Sequence, residues 1–188
     1  QFADPRYSLR QVLVEHMHFN DREKADHLRK FFYRAANQNA IPIVNYNDPL
    51  SNEETRRMEI AALREERTGI VECVDNDETA AVVASLVGAR RLVILTSTNG
   101  IYRDVHDPST LIPEISGGSV QEMEAKIDEA MSFCQGASRV GANGAKAKLL
   151  YAKQAIENGT EVRIANAKYP LDAILSGDAP STRLFLRK

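Results

Sequence analysis

Residues 41–48 read IPIVNYND, an apolar run that ends in a polar cluster. Ile41, Ile43 and Val44 form a short β-branched apolar run that is typical of a buried strand. The run stops in Asn45-Tyr46-Asn47-Asp48, a cluster of side chains that favour turns. The polar cluster is therefore predicted to lie at the carboxyl end of a strand, which is the edge of an open α/β sheet where small ligands bind.

A second polar cluster follows, Val74-Asp75-Asn76-Asp77, immediately before a helical pattern over residues 78–87. Its side chains can cap the start of that helix while its carboxylates face the same crevice. Two clusters of this kind predict one polar ligand that is held from two sides.

Composition limits the class of protein. The chain has 188 residues, of which 43% are hydrophobic and 27% charged, and this balance predicts one globular domain over residues 1–188. A net charge of −2 gives no electrostatic reason to expect nucleic acid or an anionic membrane as a partner. No apolar run approaches the ~18 residues of a membrane span, so we expect a cytoplasmic protein. Cys73 and Cys134 lack metal-ligand spacing and are expected to be reduced.

Strand and helix patterns alternate along the chain, which predicts crossover connections and a mostly parallel sheet between helices. Residues 101–118 contain two prolines and many polar groups and are predicted to form a surface loop near the ligand crevice. The predicted strands are residues 11–14, 41–44, 91–95 and 161–165. The predicted helices are residues 22–36, 51–67, 78–87, 120–133 and 145–158, and a last helix and strand follow.

A turn of small residues, GANGAKAK at 141–148, opens one of these helices. Free backbone N–H groups and the positive end of a helix suit phosphate, and a lysine one turn later adds a point charge. The turn matches neither GxxxxGK[ST] nor GxGxxG, the usual phosphate-binding patterns. In the alternative interpretation, the glycines merely separate two helices and Lys146 and Lys148 are solvated.

Taken in order, three segments resemble the amino acid kinase superfamily and, within it, the glutamate 5-kinase family. They are IPIVNYND, VDNDETAAVVASLVGARRLVILTSTNGIY and GANGAKAKLLYAKQAIENGTEVRIANAKYPLDAIL. The family motifs are Asn-x-Asn-Asp after a strand, Gly-Asp-Asn-Asp before a helix, Leu-Thr-Asp followed by Gly-x-Tyr, and a Gly-Thr-Gly-Gly-Met-x-Thr-Lys loop. The resemblance implies a three-layer αβα sandwich of the carbamate kinase type. It also implies ATP with Mg²⁺ and phosphorylation of the γ-carboxylate of L-glutamate, the first step of proline biosynthesis.

The resemblance also implies roles for individual residues. Asn45, Asp48 and Asn76 match the residues that hold the α-amino and α-carboxylate groups of glutamate. Lys148 matches the lysine that stabilises the transferred phosphoryl group, and Asp77 matches the acid that orients the phosphate-binding lysines. The nucleotide side corresponds to Thr96, Ser97, Gly100, Tyr102, Gly141, Ala142, Asn143 and Gly144. Phosphoryl transfer needs mainly positioning and positive charge, so no protein nucleophile is required.

The chain departs from the family pattern at several of these positions. Tyr46 stands where the family has glutamate, Ser97 replaces an aspartate, and Ala142, Asn143 and Ala145 replace Thr, Gly and Met. The open alternatives are a sibling kinase acting on a nucleotide monophosphate, aspartate or N-acetylglutamate, and a ligand-sensing domain without turnover. His16 and His18, two apart on an expected strand, would permit a metal site, although no further ligand can be assigned.

Members of the family begin with a strand carrying Lys-x-Gly-Ser and a second strand ending in Ser-Ser-Gly-Ala. Neither segment is found before Gln11, so we expect residues 1–188 to be the later part of a kinase domain, without its N-terminal strands. The resemblance further implies a homo-oligomer and feedback inhibition by proline.

Overall fold

The chain forms two compact units, which are described separately. The computed structural model describes residues 4–47, 53–66, 68–73, 76–134 and 144–187. The amino-terminal unit is Gln1–Thr79 and the carboxyl-terminal unit is Ala80–Lys188. That residues 1–188 form one kinase domain stays a prediction.

The amino-terminal unit is built on a parallel pair of strands. β1 (Ser8–Val14) pairs in register with β2 (Ala40–Tyr46), and α1 (Met17–Asn20) and α2 (Arg22–Asn37) connect them. The Asp21 carboxylate accepts a 2.9 Å hydrogen bond from the Lys24 backbone N–H, which confirms the predicted start of the second helix. A further helix, α3 (Glu53–Glu66), follows the strands.

The two faces of this strand pair differ, because successive side chains of a strand point to opposite faces. One face packs on α2, whose Phe32 and Ala35 are buried. On the other face Ile41 is 43% exposed and Ile43 is 50% exposed, with Leu9 and Leu13 exposed beside them. The strand is present, but the prediction that it is buried is wrong for both isoleucines.

The carboxyl-terminal unit contains a four-stranded sheet in the order β3-β5-β6-β4. The pairs β3/β5 and β4/β6 are parallel, and β5/β6 is antiparallel. The strands are β3 (Arg91–Thr96), β4 (Glu114–Gly117), β5 (Glu161–Asn166) and β6 (Ser181–Leu186).

Helices cover both faces of this sheet. α5 (Val120–Phe133) and α6 (Gly144–Glu157) pack on the face that carries Val162, Ile164 and Leu184. α7 (Leu171–Ser176) packs on the other face, where Ile174 contacts Ala165. This arrangement confirms the predicted three-layer αβα architecture with a mainly parallel sheet.

The helix that follows the second polar cluster, α4 (Asn76–Val87), runs across the boundary between the units at Thr79. α2 has 16 residues and is amphipathic. No helix within the described ranges is both long enough and apolar enough to cross a bilayer.

The segment 101–118 is more ordered than a surface loop. Tyr102 and Leu111 form an antiparallel bridge, Pro108–Thr110 is a 3₁₀ turn, and β4 completes the sheet with Ile115 and Ser116 buried. The loop prediction is wrong for Glu114–Gly117 because a four-residue strand is too short to show periodic alternation, and the prolines before it read as turn signals.

Candidate functional site

The carboxyl ends of β1 and β2 bring polar side chains together. The backbone N–H of Asn47 donates to the Val14 carbonyl at 3.0 Å and so extends the strand pairing by one residue. Its side-chain Nδ2 donates to Oε1 of Glu15 at 2.6 Å. Asn45, the first candidate substrate residue, lies on the exposed face of the same strand end. This confirms that the Asn45-to-Asn47 cluster ends a strand.

Tyr46 points away from this edge. It is 8% exposed, whereas Asn45 before it is exposed. The departure from the family pattern at Tyr46 therefore falls on a buried side chain of this unit.

Glu15 is a candidate site residue that the sequence did not reveal. It follows the last residue of β1 and its carboxylate accepts the hydrogen bond from Asn47. Its position directly after an apolar run was the available signal, because the ends of parallel strands meet at one edge.

His16 and His18 make separate polar contacts. His16 is buried and its Nε2 lies 3.0 Å from Oε2 of Glu59, while Nδ1 of His18 accepts from the Glu15 backbone N–H at 2.8 Å. His16 immediately precedes α1 and His18 lies within it. The expectation that they share a strand face is therefore wrong. Within the described part of the chain, no group of three His, Cys, Asp or Glu side chains could hold a metal.

The second candidate cluster begins α4. Asn76 and Asp77 are the first two residues of the helix, so they lie inside its first turn and not before it as predicted. Acidic side chains are favourable there because the N-terminus of a helix carries partial positive charge. The neighbouring Glu78 is buried and accepts a 2.9 Å hydrogen bond from the Glu72 backbone N–H. Asp48 and Asp75 lie outside the described residues.

In the carboxyl-terminal unit, the ends of β3 and β5 form a second polar edge. The Thr96 carbonyl accepts from the Ala167 N–H at 2.9 Å, and the Ser97 carbonyl accepts from Nδ2 of Asn166 at 2.8 Å. These bonds hold two candidate nucleotide residues beside the loop that follows β5. The pairing places them at the carboxyl edge of two parallel strands, where ligands bind in α/β sheets.

Gly100 and Thr182 shape the turn after this edge. Gly100 has a φ of 154°, and a Cβ there would lie 2.8 Å from the Thr182 backbone nitrogen. The Thr182 hydroxyl accepts from the Ile101 N–H at 2.8 Å and donates to the Ile112 carbonyl at 2.7 Å. Only glycine fits this turn, which leads into the partly buried Tyr102.

Lys168 is a second residue that the sequence did not single out. It lies two residues beyond β5; its backbone N–H donates to Oδ1 of Asn166 at 3.0 Å and its Nζ is 4.9 Å from the centre of the Tyr169 ring. The Lys168 side chain is exposed, and its backbone belongs to the loop that Ala167 and Asn166 bond to Thr96 and Ser97. A lysine just after a buried strand was the signal for it.

The predicted phosphate loop is only partly described. Gly141, Ala142 and Asn143 lie outside the described residues, while Gly144 begins α6 and is exposed. Lys148, the candidate catalytic lysine, lies one turn further along and is partly exposed between the buried Ala147 and Leu149.

Neither cysteine has the surroundings of a reactive nucleophile. Both are free thiols, and Cys73 is buried. Burial raises the pKa of the Cys134 thiol, against a smaller opposing effect of Lys146. Cys134 also donates to the Ala130 carbonyl at 3.4 Å. A thiol that stays protonated at neutral pH is a poor nucleophile.

Amides and a carboxylate lie at the carboxyl edge of β1 and β2, and turn-forming residues lie at the carboxyl edge of β3 and β5. In α/β proteins, edges of this kind are where small polar molecules bind. Residues 2–166 match the model of the Amino acid kinase family, and the chain belongs to this family.

Curated relatives agree with that placement. The chain is 28% identical over 190 residues to the glutamate 5-kinase of Paraburkholderia phytofirmans and 30% identical over 193 residues to that of Burkholderia thailandensis. Each match covers 100% of this chain but 45% of the relative, so the chain spans a little less than half the length of these relatives.

A solved structure agrees on the fold. The chain is similar to carbamate kinase from Giardia lamblia bound to AMP-PNP, with a TM-score of 0.56 and 16% identity, over 85% of this chain and 44% of that one. At this identity the likeness shows the fold, which is of the carbamate kinase type.

Proposed function

We propose that this chain is part of an ATP-dependent kinase that phosphorylates the γ-carboxylate of L-glutamate to γ-glutamyl phosphate, the first step of proline biosynthesis. The observation that carries the proposal is the group of amides and a carboxylate at the ends of β1 and β2, Asn45, Asn47 and Glu15, in a member of the Amino acid kinase family. Amide donors suit a carboxylate and a carboxylate suits an ammonium, so this edge matches the two ends of an α-amino acid.

On the acceptor side, Asn45, Asp48 and Asn76 hold the α-amino and α-carboxylate groups. The γ-carboxylate oxygen then attacks the γ-phosphorus of ATP, the bond to the β,γ-bridging oxygen breaks, and ADP leaves. The protein contributes position and charge to this step, and no side chain forms a bond to phosphorus.

On the donor side, Thr96, Ser97, Gly100 and Tyr102 contact the nucleotide, and residues 141–144 bind its phosphates. Lys148 stabilises the charge of the transferred phosphoryl group and Asp77 orients the lysine. Positive charge that is already in place acts mainly on the transition state.

We propose that Mg²⁺ binds together with ATP at this site. Magnesium at kinase sites is held chiefly by phosphate oxygens and water with one or two carboxylates, so it needs no cluster of protein ligands. When bound with ATP it would neutralise charge on the β- and γ-phosphates.

Two alternative functions follow from the departures at Tyr46 and Ser97 and in the loop at residues 142–145. One is a sibling kinase whose acceptor is a nucleotide monophosphate, aspartate or N-acetylglutamate. The other is a ligand-sensing domain without turnover, and both would use the same two edges. We further propose a cytoplasmic homo-oligomer that is inhibited by proline.

The test is ADP release by the full-length protein with a panel of acceptors. L-glutamate is expected to be the best acceptor, and glutarate is expected to fail because the site's acidic group would be left without its cationic partner. Comparable turnover with glutarate or UMP would contradict the glutamate assignment. Absence of ADP release with every acceptor, together with measurable ligand binding, would favour the sensing domain.

The same assay tests Lys148. Lys148→Ala is expected to lower turnover by about a hundredfold or more without loss of fold. Lys153→Ala is the matched control on the same helix, because Lys153 pairs with Glu124 at 3.3 Å in a surface contact of small energetic value. Equal turnover of the two variants would show that Lys148 is a solvated lysine without a role in catalysis.

A further inference from the structure

A pocket of about 210 Å³ lies between β4, α5 and the segment after Tyr102. Its apolar lining is Ile112, Ile115, Ala130 and Phe133. None of the lining residues is one of the candidate substrate or nucleotide residues, so the kinase proposal leaves this pocket without a function.

Two of the charged side chains that line the pocket are engaged in the fold. Nζ of Lys126 donates to the Ser116 carbonyl at 2.6 Å and pairs with Oε1 of Glu122 at 2.8 Å. The Glu114 carboxylate accepts from the Ser116 hydroxyl at 2.8 Å. These contacts fasten α5 to β4 and shape the wall.

Two other charges, Arg103 and Glu129, are available to a ligand. The Arg103 guanidinium lies 6.0 Å from the centre of the Phe133 ring. Glu129 is one helical turn before Phe133, so both project from the same side of α5. Across the described ranges, neither Arg103 nor Glu129 forms an ion pair with another side chain. The lining therefore includes one cation and one anion that form no ion pair among the described residues, together with four apolar side chains.

We propose that this pocket binds a small zwitterion with an apolar body, namely an α-amino acid with an aliphatic side chain. The ligand carboxylate binds Arg103, its ammonium group binds Glu129, and its side chain packs on the four apolar residues. The volume of about 210 Å³ suits a ligand of the size of an amino acid.

The pairing of charges distinguishes this class from simpler ligands. A simple carboxylate would leave Glu129 uncompensated beside it, and a simple amine would do the same to Arg103. Because both groups are exposed, each contact is weak, and the selectivity comes from satisfying the two charges at once.

The probe is leucine, with isocaproate, which lacks the amino group, and isoamylamine, which lacks the carboxylate. Calorimetric titration of the full-length protein is expected to show saturable binding of leucine and at least tenfold weaker binding of each analogue. Equal binding of either analogue, or no binding of leucine, would overturn the proposal.

Variants locate the binding. Arg103→Ala and Glu129→Gln are each expected to weaken leucine binding about tenfold or more, whereas Arg90→Ala and Glu157→Gln, exposed charges elsewhere in the same unit, are expected to leave it unchanged. Thermal melts confirm that all four variants fold. Unchanged binding by the two pocket variants would place leucine elsewhere, and displacement of leucine by AMP-PNP would assign the pocket to the nucleotide; either result overturns the inference.

Discussion

Single residues set the geometry of both polar edges, and Gly100 is the clearest case. Gly100→Ala is expected to lower the free energy of unfolding by about 1–3 kcal/mol, because the new Cβ would press on Thr182 in a backbone conformation that other residues avoid. Denaturant unfolding measures the change. Gly144→Ala is the control, since a Cβ there meets nothing within 4 Å. Equal stability of the two variants would show that the turn at Gly100 accommodates a Cβ without a cost in free energy.

Glu15 acts on the acceptor edge through Asn47. Glu15→Ala removes the acceptor of the 2.6 Å hydrogen bond, so Asn47 loses its fixed orientation. If this edge holds glutamate, KM for glutamate is expected to rise about tenfold or more while kcat changes little, because the interaction is made equally in ground and transition states. Glu23→Ala, an exposed acidic residue in the first turn of α2, is the control. A fall in kcat at unchanged KM would contradict this role.

At the scale of elements, one carboxylate joins the antiparallel strands β5 and β6. Glu161 accepts from Arg183 at 2.9 Å and from Nε of Arg163 at 3.2 Å. Arg163 is buried and also donates to the Ile174 carbonyl at 2.5 Å, which ties α7 to the sheet. The Arg183 guanidinium, followed by Arg163, lowers the pKa of the Glu161 carboxyl below its usual value.

The lowered pKa of Glu161 predicts how the stability of the protein depends on pH. The contribution of Glu161 to stability is fully present above the unfolded-state pKa of about 4.3 and is lost as pH falls through the lower folded-state value. Glu161→Gln is expected to cost about 1–3 kcal/mol near neutral pH, because Arg183 and Arg163 lose their carboxylate partner, and to flatten the fall in stability below pH ~4.5. Unfolding free energies between pH 3 and 7 test this. An unchanged pH dependence would show that the contacts of Glu161 with Arg183 and Arg163 do not contribute to stability.

The long elements of the sheet could be predicted from the sequence, and the short or one-sided ones could not. The strands over residues 91–95 and 161–165 and helix 120–133 are present because their apolar periodicity reflects burial between layers. β4 was missed because four residues carry too little pattern. β2 was found, but its outer face is exposed, since an apolar residue in a strand does not reveal which layer covers it.

The candidate site was predicted to a similar extent. Asn45, Thr96 and Ser97 lie at strand ends as expected, because a turn-forming cluster after an apolar run marks a strand end. Glu15 and Lys168 were not found, since only the sheet pairing shows that their strands end beside those of the predicted residues. Asp48 and residues 141–143 lie outside the described ranges, and their roles stay predictions.

At the scale of the whole molecule, the uncovered face of β1 and β2 is a liability. Leu9, Leu13, Ile41 and Ile43 present apolar surface, and parallel strands are normally buried on both faces. The chain also spans a little less than half the length of its glutamate 5-kinase relatives. We expect the isolated 188 residues to aggregate and to lack kinase activity.

Ile43→Thr is expected to reduce aggregation of the 188-residue chain without giving turnover, because it makes the exposed face of β2 less apolar. Size-exclusion chromatography and glutamate-dependent ADP release measure the two properties. A monodisperse 188-residue chain with full glutamate-dependent turnover would contradict the expectation.

The strand order of the carboxyl-terminal unit also bears on synthesis. β4 pairs with β6, which follows it by about sixty residues along the chain, and β6 separates β4 from β5. At about 5–20 residues per second, a ribosome therefore leaves β4 without its partner for several seconds. During that interval Ile115 and the unpaired edge of β4 are open to other chains, so the nascent protein is most vulnerable to misassembly just before the Thr182 hydroxyl joins residues 101 and 112.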